Sequence, residues 1–523
     1  MKFFFTFLLV IIAAVNAAHV GQHQQQQTRK SHPAEGFSKA SNEFGFQLLN
    51  EITKHRSTTE STINSGTTTG TGTGTGGSSG SESSSTTTHG GRGGRGGSET
   101  SRTGRRSENV VFSPYSVAVA LSMIHQGAQG STAEQFKRVL HYDRVQEMNN
   151  GDYQTVATLV KQTQDQIRQT QQTTGQQGST WQQQTGQQQT TGQQQTTWQQ
   201  KTTGQQQTTG QQQSTGTTER FDYGSLLLVD QHLQVRDDYR KTIEQYYDGE
   251  VMPVDFQRDT RTVQQRVNQY VSNKTNGLID TVLEQTPSPK TVLSLINAVY
   301  FKGEWLKPFD QVRTEQNTFY SHDGREYKNV QYLNGDGPFG TVELPEWNAD
   351  LVQIPYKNED IVFYGILPRE RTNTLKYIRQ QINSTYVDEI VDRVGQQQVE
   401  DGQTTIYLPK FELETTVELP EVLQSMGLQD VFTERSNLSG MTTTTGTTTT
   451  GTTPRPKLTD VLHKSKLVVT EQGTETGSTS YVQLTLLSSL QSTKTLRFDH
   501  PFLYFVRHQP TGQLLFIGEI HDF

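Results

Sequence analysis

Segments with regular apolar spacing alternate along this chain with long tracts that have none. Residues 37–53 predict a helix, because their apolar side chains recur near one helical face. Residues 116–126 predict a buried helix of apolar and small residues, which Gly127 is expected to end. Ser131 is predicted to cap the next helix, because Glu134 stands three residues later in the capping-box position.

Shorter apolar runs predict β-strands. They are rich in β-branched and aromatic residues and cover 226–229, 292–301, 467–469, 502–507 and 514–517. The last two flank Pro510-Thr511-Gly512, which indicates a hairpin turn. The strands lack the spacing of βαβ units, so we expect a mixed α+β fold.

Three low-complexity tracts interrupt this pattern. Residues at about 57–107 are rich in Thr, Gly and Ser, those at about 165–218 repeat a TTGQQQ unit, and those at 442–456 are rich in Thr and Gly. None has the apolar periodicity that offsets the entropy lost on ordering, so each is predicted to be a disordered insert. We therefore expect a single domain over residues 18–523 that these inserts interrupt.

Composition agrees with one core diluted by polar sequence, and it narrows the possible chemistry. Only 30% of the 523 residues are hydrophobic, and the formal net charge of −7 argues against nucleic acid as a partner. The absence of cysteine excludes disulfides, a thiolate nucleophile and zinc–thiolate sites. The 13 histidines show no metal-ligand spacing, so we predict no metal and no cofactor.

Two short segments match catalytic sequence signatures but lack the secondary structure that these signatures require. Residues 72–77 match a dinucleotide-binding fingerprint and residues 76–80 a nucleophile elbow. Both lie inside the first low-complexity tract, where neither a strand nor a helix is predicted. The sequence offers no persuasive catalytic site, and we expect that the protein is not an enzyme.

The N-terminus has the parts of a secretory signal peptide. Lys2 precedes an apolar run at 3–14, and Val15-Asn16-Ala17 fits a small-x-small cleavage site. We expect residues 1–17 to be removed and the protein to be secreted; an uncleaved anchor is the alternative. Glycosylation sequons at Asn273, Asn383 and Asn437 fit this route. No later stretch approaches the roughly 20 apolar residues of a membrane span, so no membrane partner is predicted.

The segment at 471–500 is long and polar for a loop inside a core. It lacks proline, which leaves its N–H groups available to pair in a sheet. In an extended conformation it places a set of hydroxyl side chains on one face: Thr474, Thr476, Ser478 and Ser480. That face can be buried without an uncompensated charge. The segment is therefore predicted to be able to join a sheet as a strand; a mobile polar loop is the alternative.

Around this segment the sequence resembles the serpin family. The matching motifs occur in family order: NVVFSPYS at 109–116, GAQGST at 127–132, NAVYFKGEW at 297–305, LPKF at 408–411, SGM at 439–441, HK at 463–464 and DHPFL at 499–503. The resemblance implies a fold of three β-sheets and about nine helices with an exposed reactive-centre loop. It also implies a suicide substrate: a protease cleaves the loop, the loop inserts into the main sheet, and the acyl-enzyme is trapped.

The same resemblance implies roles for individual residues. The scissile bond is placed at Leu487–Ser488, with Leu486 or Leu490 as the contact residue if the register slips. A leucine there favours a chymotrypsin- or elastase-like protease. The hinge comprises Glu471, Gly473, Thr474, Glu475, Thr476, Gly477 and Ser478. The residues matching positions that govern sheet opening are Asn109, Ser113, Ser116, Asn297, Trp305, Lys410 and His463, with Lys410 as the partner of Glu471.

We therefore expect a monomeric, secreted inhibitor that traps a serine protease covalently. The hinge carries Thr, Ser and Gly where inhibitory serpins usually carry Ala, but these residues are small and Thr suits a strand. Two alternatives stay open. One is a non-inhibitory serpin that binds or carries a ligand, or blocks a cascade without trapping. The other is a secreted matrix or gut-lining protein in which the Gln/Thr repeats provide adhesion, crosslinking or O-glycosylation.

Overall fold

The structure is a computed structural model that describes residues 35–66, 108–145, 153–184, 220–337, 339–371, 374–396, 404–443, 456–473 and 494–523. The α-helices in these ranges are α1 (Glu35–Gly66), α2 (Pro114–Gly127), α3 (Gly130–Val139), α4 (Tyr153–Gln184), α5 (Asp237–Tyr247), α6 (Thr260–Lys274), α7 (Thr374–Gln381), α8 (Ser384–Gln396) and α9 (Pro420–Ser425). None of them has both the length and the apolar character that crossing a membrane requires.

The described strands form three sheets. They are β1 (Val110–Phe112), β2 (Arg220–Asp230), β3 (Glu250–Val254), β4 (Leu293–Lys302), β5 (Glu315–Tyr320), β6 (Glu326–Gly337), β7 (Gly340–Leu344), β8 (Ala349–Pro355), β9 (Ile361–Pro368), β10 (Thr404–Pro409), β11 (Phe411–Glu418), β12 (Leu458–Val469), β13 (Lys494–Arg497), β14 (Phe502–His508) and β15 (Gln513–Ile520). The sheet orders are β11-β12-β4-β2-β3, β1-β15-β14-β9-β8-β7 and β13-β10-β6-β5. The predicted α+β class and the three sheets are confirmed.

Helix α2 is the buried helix that the sequence predicts. It packs against β4 of the five-stranded sheet and β15 of the six-stranded sheet. Its N-cap is Ser113, whose Oγ accepts a hydrogen bond from the backbone N–H of Ser116 at 3.2 Å, and Pro114 occupies the first helical position. The helix ends at Gly127, where a Cβ would lie 2.6 Å from Met441 Cβ. The predicted helix and its glycine end are therefore confirmed.

Two local predictions have different outcomes. The C-terminal hairpin is confirmed, since β14 and β15 pair antiparallel. The cap predicted at Ser131 is wrong, because α3 begins at Gly130 and its N-cap is Gln129. The Ser131 hydroxyl instead donates to Asp430 Oδ2 at 2.7 Å. The Ser131 side chain, which the local pattern predicts to cap the helix, therefore bonds to a distant part of the chain.

The predicted boundaries of the three inserts are corrected. Helices α1 and α4 continue beyond the expected starts at about 57 and 165. In α4 the reason is a buried apolar stripe, Val156, Val160 and Ile167, which extends into the glutamine-rich sequence. Thr442, the expected start of the third tract, is buried. The remaining parts of the tracts lie outside the described residues.

Candidate functional site

The candidate site lies in the middle of the five-stranded sheet, where β4 and β12 pair in parallel over nine residue positions. We refer to this pairing as the β4–β12 join. Strand β12 ends at Val469, and the next described strand, β13, begins at Lys494 in the four-stranded sheet. The predicted hinge and scissile bond fall between these two strands. The join is therefore the part of the sheet from which the candidate loop departs.

Polar side chains form a buried row across the join. Asn297 of β4 lies opposite Ser225 of β2 on one side and opposite His463 of β12 on the other. Asn297 Oδ1 is 2.7 Å from His463 Nδ1 and accepts from Ser116 Oγ of α2 at 2.9 Å. Asn297 Nδ2 donates to Ser225 Oγ at 3.0 Å. The structure thus brings together Ser116, Asn297 and His463, as the resemblance implies.

Ser113 joins this row through its backbone. Its N–H donates to His463 Nε2 at 3.1 Å. Because Nε2 accepts this bond, it carries no proton, and the neutral ring is protonated at Nδ1, which donates to Asn297 Oδ1. Burial lowers the pKa of His463 to about 3, since a charged imidazole would lose its hydration. The row across the join therefore contains a neutral histidine with both ring nitrogens engaged.

Two side chains hold the carboxylate of Glu471 just beyond the end of β12. It accepts hydrogen bonds from Lys410 Nζ at 3.0 Å and from Thr314 Oγ1 at 3.0 Å. The Glu471 side chain is 8% exposed and that of Lys410 36% exposed. Burial raises the pKa of Glu471, but its own backbone N–H and the two neighbouring side chains outweigh this and leave the pKa below its usual value. The expected pairing of Lys410 with Glu471 is present.

Trp305, three residues beyond the end of β4, binds the same segment from the other side of the join. Its indole Nε1 donates to the carbonyl of Thr470 at 2.9 Å, and its backbone N–H donates to the carbonyl of Gln472 at 3.0 Å. The indole is buried and stacks on Tyr356 with ring centroids 4.4 Å apart. The start of the predicted hinge is therefore fixed to the residues that follow β4.

A tight turn ends the described part of this segment. The Thr470 N–H donates to the Gly473 carbonyl at 2.7 Å, and Gly473 has φ +125°. A Cβ at this position would lie 2.6 Å from Glu304 Cα, and it would also collide with the Gly303 carbonyl oxygen. The turn therefore requires glycine for both its backbone conformation and its close approach to the neighbouring strand end.

Asn109, which the resemblance places among the positions that govern sheet opening, makes its side-chain contacts outside the buried row. Its Oδ1 accepts from the backbone N–H of His521 at 2.6 Å, and its Nδ2 donates to the carbonyl of Asp522 at 2.8 Å. The reason is topological: Asn109 immediately precedes β1, which pairs with β15 at the edge of the six-stranded sheet. Asn109 fixes the chain end there.

Other predicted residues have no described environment or no tested role. Asn273 and Asn437 are exposed, whereas Asn383 is half-buried and its Oδ1 accepts from the Tyr386 N–H at the start of α8. The loop residues outside the described ranges are Thr474, Glu475, Thr476, Gly477, Ser478, Leu487 and Ser488. Their assignments therefore stay predictions.

Four contributors to the site were not predicted: Ser225, Thr314, Tyr356 and Thr470. Ser225 had a usable signal, because it is a hydroxyl residue directly before the apolar run of a predicted central strand. Thr314 had none, since it reaches Glu471 across 157 residues of sequence. Local patterns identify positions along an element but not the partners that folding brings to them.

Comparison with known proteins gives a family for the chain. The sequence matches the family model for serpin (serine protease inhibitor) over residues 98–523. Human serpin B3 is 27% identical over 419 residues, which cover 79% of this chain and 93% of that protein. Intracellular coagulation inhibitor 2 of Tachypleus tridentatus is 25% identical over 418 residues, covering 79% of this chain and 86% of that protein.

Solved structures share the architecture. Native protease nexin-1 with heparin has a TM-score of 0.64 at 22% identity, covering 94% of this chain and all of that one (100%). Uncleaved ovalbumin has a TM-score of 0.63 at 20% identity, covering 93% of this chain and 99% of that one. These similarities show the serpin fold. Because the family model also spans most of the sequence, the chain belongs to the serpin family.

Proposed function

We propose that this protein inhibits a chymotrypsin- or elastase-like serine protease by trapping it after cleavage of the Leu487–Ser488 bond. The observation that carries the proposal is the direction of the strands at the β4–β12 join. The two strands are parallel, and the candidate loop follows directly from the C-terminal end of β12. The named relatives include an intracellular coagulation inhibitor, which is consistent with this role.

Strand direction makes insertion at the join favourable. A loop that turns back after Gly473 runs antiparallel to β12, and therefore also to β4. Placed between them, it replaces one parallel ladder with two antiparallel ladders, which are slightly more stable per residue. Each added hydrogen bond contributes roughly 0.5–1.5 kcal/mol net. The inserted form is therefore expected to be the more stable one.

The contacts described above oppose insertion until the loop is cut. Separating β4 from β12 breaks the His463–Asn297 hydrogen bond, which crosses the join. Drawing the hinge into the sheet also removes the Trp305 and Lys410 contacts beyond β12. An intact loop is tied to β13 at its other end, which limits how far it can insert. Cleavage releases that constraint.

Covalent trapping uses the protease's own chemistry. The protease serine Oγ attacks the Leu487 carbonyl carbon, the C–N bond to Ser488 breaks, and the protease histidine transfers the serine proton to the new amine. The protease is then esterified to Leu487. Insertion of residues 474 onward displaces the acyl-enzyme before water hydrolyses the ester. In this account the protein supplies no catalytic residue.

The proposal includes the secretory route and a monomeric state. The secretory route rests on the signal-peptide pattern at 1–17 and on the sequons at Asn273, Asn383 and Asn437. N-terminal sequencing and glycan release on the protein recovered from expressing cells test the route. A retained Met1 on unglycosylated protein would oppose the route.

The direct test mixes the full-length protein with chymotrypsin, elastase, cathepsin G or trypsin and analyses the products on denaturing gels with mass spectrometry. We expect an SDS-stable complex with an enzyme of apolar specificity and release of a peptide that begins at Ser488. Cleavage by the whole panel without a complex would support the non-inhibitory alternative. That alternative has a structural neighbour: human thyroxine-binding globulin, with a TM-score of 0.63 at 17% identity, is named for binding thyroxine and not for inhibiting a protease.

Replacing Thr474 by arginine tests insertion. The side chain of residue 474 lies on the face that insertion would bury, so a charge there should stop insertion at its first step. We expect Thr474→Arg to be cleaved at a similar rate while the SDS-stable complex falls at least about tenfold, which corresponds to only 1.4 kcal/mol. Thr474→Ser keeps a small hydroxyl and is expected to trap normally. Persistent trapping by the arginine variant would overturn the insertion model.

A further inference from the structure

Three potential metal ligands from distant parts of the chain meet beside its C-terminus. Glu108 precedes β1, His322 lies between β5 and β6, and His521 follows β15. One donor atom from each of the three side chains lies within 4.8 Å of the others. His322 Nδ1 is 3.4 Å from a Glu108 carboxylate oxygen. Within the described ranges this is the one such group, and the sequence prediction of no metal site did not anticipate it.

The hydrogen bonding of His521 suits a metal ligand. Its Nε2 is 2.8 Å from Glu519 Oε2, and the Glu519 side chain is fully buried. In the neutral ring the carboxylate accepts the Nε2–H, which leaves the lone pair on Nδ1. That Nδ1 is buried and has no hydrogen-bond partner among the residues that the structure describes. Histidine ligands commonly donate their second ring N–H to a carboxylate in this way, which fixes the ring and leaves the other nitrogen to bind.

Surrounding contacts hold the backbone at two of the three positions. The Asn109 side chain accepts from the His521 N–H at 2.6 Å and donates to the Asp522 carbonyl at 2.8 Å. Beside His322, the Ser321 N–H donates to the Arg325 carbonyl at 2.9 Å, which closes a turn. The candidate ligands are therefore carried by a fixed chain end and a hydrogen-bonded turn.

We propose that Glu108, His322 and His521 bind a divalent transition-metal ion of the Zn²⁺ class. Two imidazoles and one carboxylate form a ligand set suited to such ions, with water completing a tetrahedral shell. Zn²⁺ bonds of about 2.0–2.1 Å would place the donor atoms roughly 3.3 Å apart. His322 Nδ1 and the Glu108 carboxylate are already at 3.4 Å, and the other donor atoms, which lie within 4.8 Å, need to approach by at most ~1.5 Å. The His322 side chain is 39% exposed and lies in a turn, so it can make this movement.

The bound ion would join the end of the six-stranded sheet to the turn between β5 and β6. It would hold His521, one residue beyond β15, together with Glu108, two residues before β1. Since an ion that binds the folded chain and not the unfolded one shifts the folding equilibrium, it should raise the melting temperature. This inference is independent of protease inhibition.

The test compares four versions of the full-length protein after removal of metal with EDTA and dialysis. They are the unchanged chain, His322→Ala, His521→Ala and the control His232→Ala. His232 is a matched control, because its Nδ1 also lies beside a carboxylate, Asp230 Oδ1 at 2.7 Å, and its side chain is 55% exposed. Titration with ZnCl₂ by calorimetry gives stoichiometry and affinity, and thermal unfolding with and without Zn²⁺ gives the stabilisation. Any other zinc site on the chain is common to all four proteins.

We expect the unchanged chain and His232→Ala to bind one more equivalent of Zn²⁺ than His322→Ala and His521→Ala, and to melt at a higher temperature with zinc. Mg²⁺ and Ca²⁺, which prefer all-oxygen shells, should not reproduce the effect. His322→Ala is decisive, because its turn position makes misfolding a poor explanation for lost binding. Equal stoichiometry and equal thermal shifts for His322→Ala and the unchanged chain would overturn the proposal.

Discussion

His463 has both ring nitrogens committed at the β4–β12 join: Nε2 accepts from the Ser113 N–H, and Nδ1 donates to Asn297. Protonation would place a second N–H at Nε2, directed at the Ser113 N–H, and would put a charge in a buried site. The hydrogen bonds therefore require the neutral ring. Burial, which lowers the pKa of His463 to about 3, acts in the same direction.

This protonation state predicts a dependence of stability on pH. The pKa of His463 is about 3 in the folded chain and ordinarily about 6.5, so the unfolded chain binds a proton first as the pH falls. The contribution of His463 is complete above pH ~6.5 and is lost progressively towards pH 3, by up to about 1.4 kcal/mol per pH unit. His463→Gln should therefore show a shallower fall in the free energy of unfolding than the unchanged chain.

The measurement is urea unfolding at several pH values between 7.5 and 4. The free energy of unfolding should still fall with pH in the variant, because two other histidines are also held neutral. Burial, together with a neighbouring cation, lowers the pKa of His125 and of His508 to about 3. Parallel stability curves for the two proteins would show that His463 is not held neutral at the join.

At the scale of the element, the end of β12 is held by the Lys410–Glu471 pair and by the Gly473 turn. Glu471 is nearly buried, while Lys410 is about one-third exposed, at 36%. Because exposure screens the pair, we expect Lys410→Met and Glu471→Gln to show a coupling energy of about 1 kcal/mol in a double-mutant cycle. Glu471→Gln alone should cost more than this coupling, because it also weakens the bond from Thr314.

Urea unfolding of the two single variants and the double variant gives the coupling energy. If the two substitutions are simply additive, the ion pair does not stabilise the start of the hinge.

The Gly473 turn gives a second prediction at this scale. Alanine would keep φ near +125° only under strain, and its Cβ would contact the backbone of Gly303 and Glu304. We expect Gly473→Ala to cost about 2 kcal/mol or more and to accelerate conversion to the inserted form on warming. Gly395→Ala is the control, because in the described part of the chain no atom outside the helix's own backbone lies within 4 Å of that Cβ, and helix α8 should gain up to about 1 kcal/mol.

Unfolding curves and native gels after incubation at raised temperature measure both effects. Equal behaviour of Gly473→Ala and Gly395→Ala would mean that the turn does not restrain the hinge.

Individual helices and strands differ in how far the sequence could predict them. Helix α2 and the C-terminal hairpin follow from local signals: apolar spacing, a terminal glycine and a Pro-Thr-Gly turn. The predictions of a cap at Ser131 and of the start of the second insert were wrong, because contacts with distant parts of the chain determine both features. The Ser131 hydroxyl donates a hydrogen bond to Asp430 and does not cap the helix. Burial of Ile167 stabilises helix α4 within a glutamine-rich sequence whose composition predicts disorder.

For the whole molecule, the family motifs predicted the three sheets and most of the buried row, because those residues lie in contiguous matching segments. They did not indicate the partners of Asn109, which are the backbone groups of His521 and Asp522. They also did not predict the group of Glu108, His322 and His521. These residues are close together because the start of β1, the turn after β5 and the end of β15 meet in the fold. Long-range juxtaposition is the information that local patterns lack.

We propose that the cut loop becomes a strand between β4 and β12. The most direct measurement is the melting temperature of the full-length protein before and after cleavage within residues 474–493 by a protease that forms no SDS-stable complex with it, with the cut located by mass spectrometry. We predict a rise of about 10 °C or more, which for a domain of this size corresponds to roughly 8 kcal/mol, and no rise for Thr474→Arg. An unchanged or lower melting temperature after cleavage of the unchanged chain would contradict insertion.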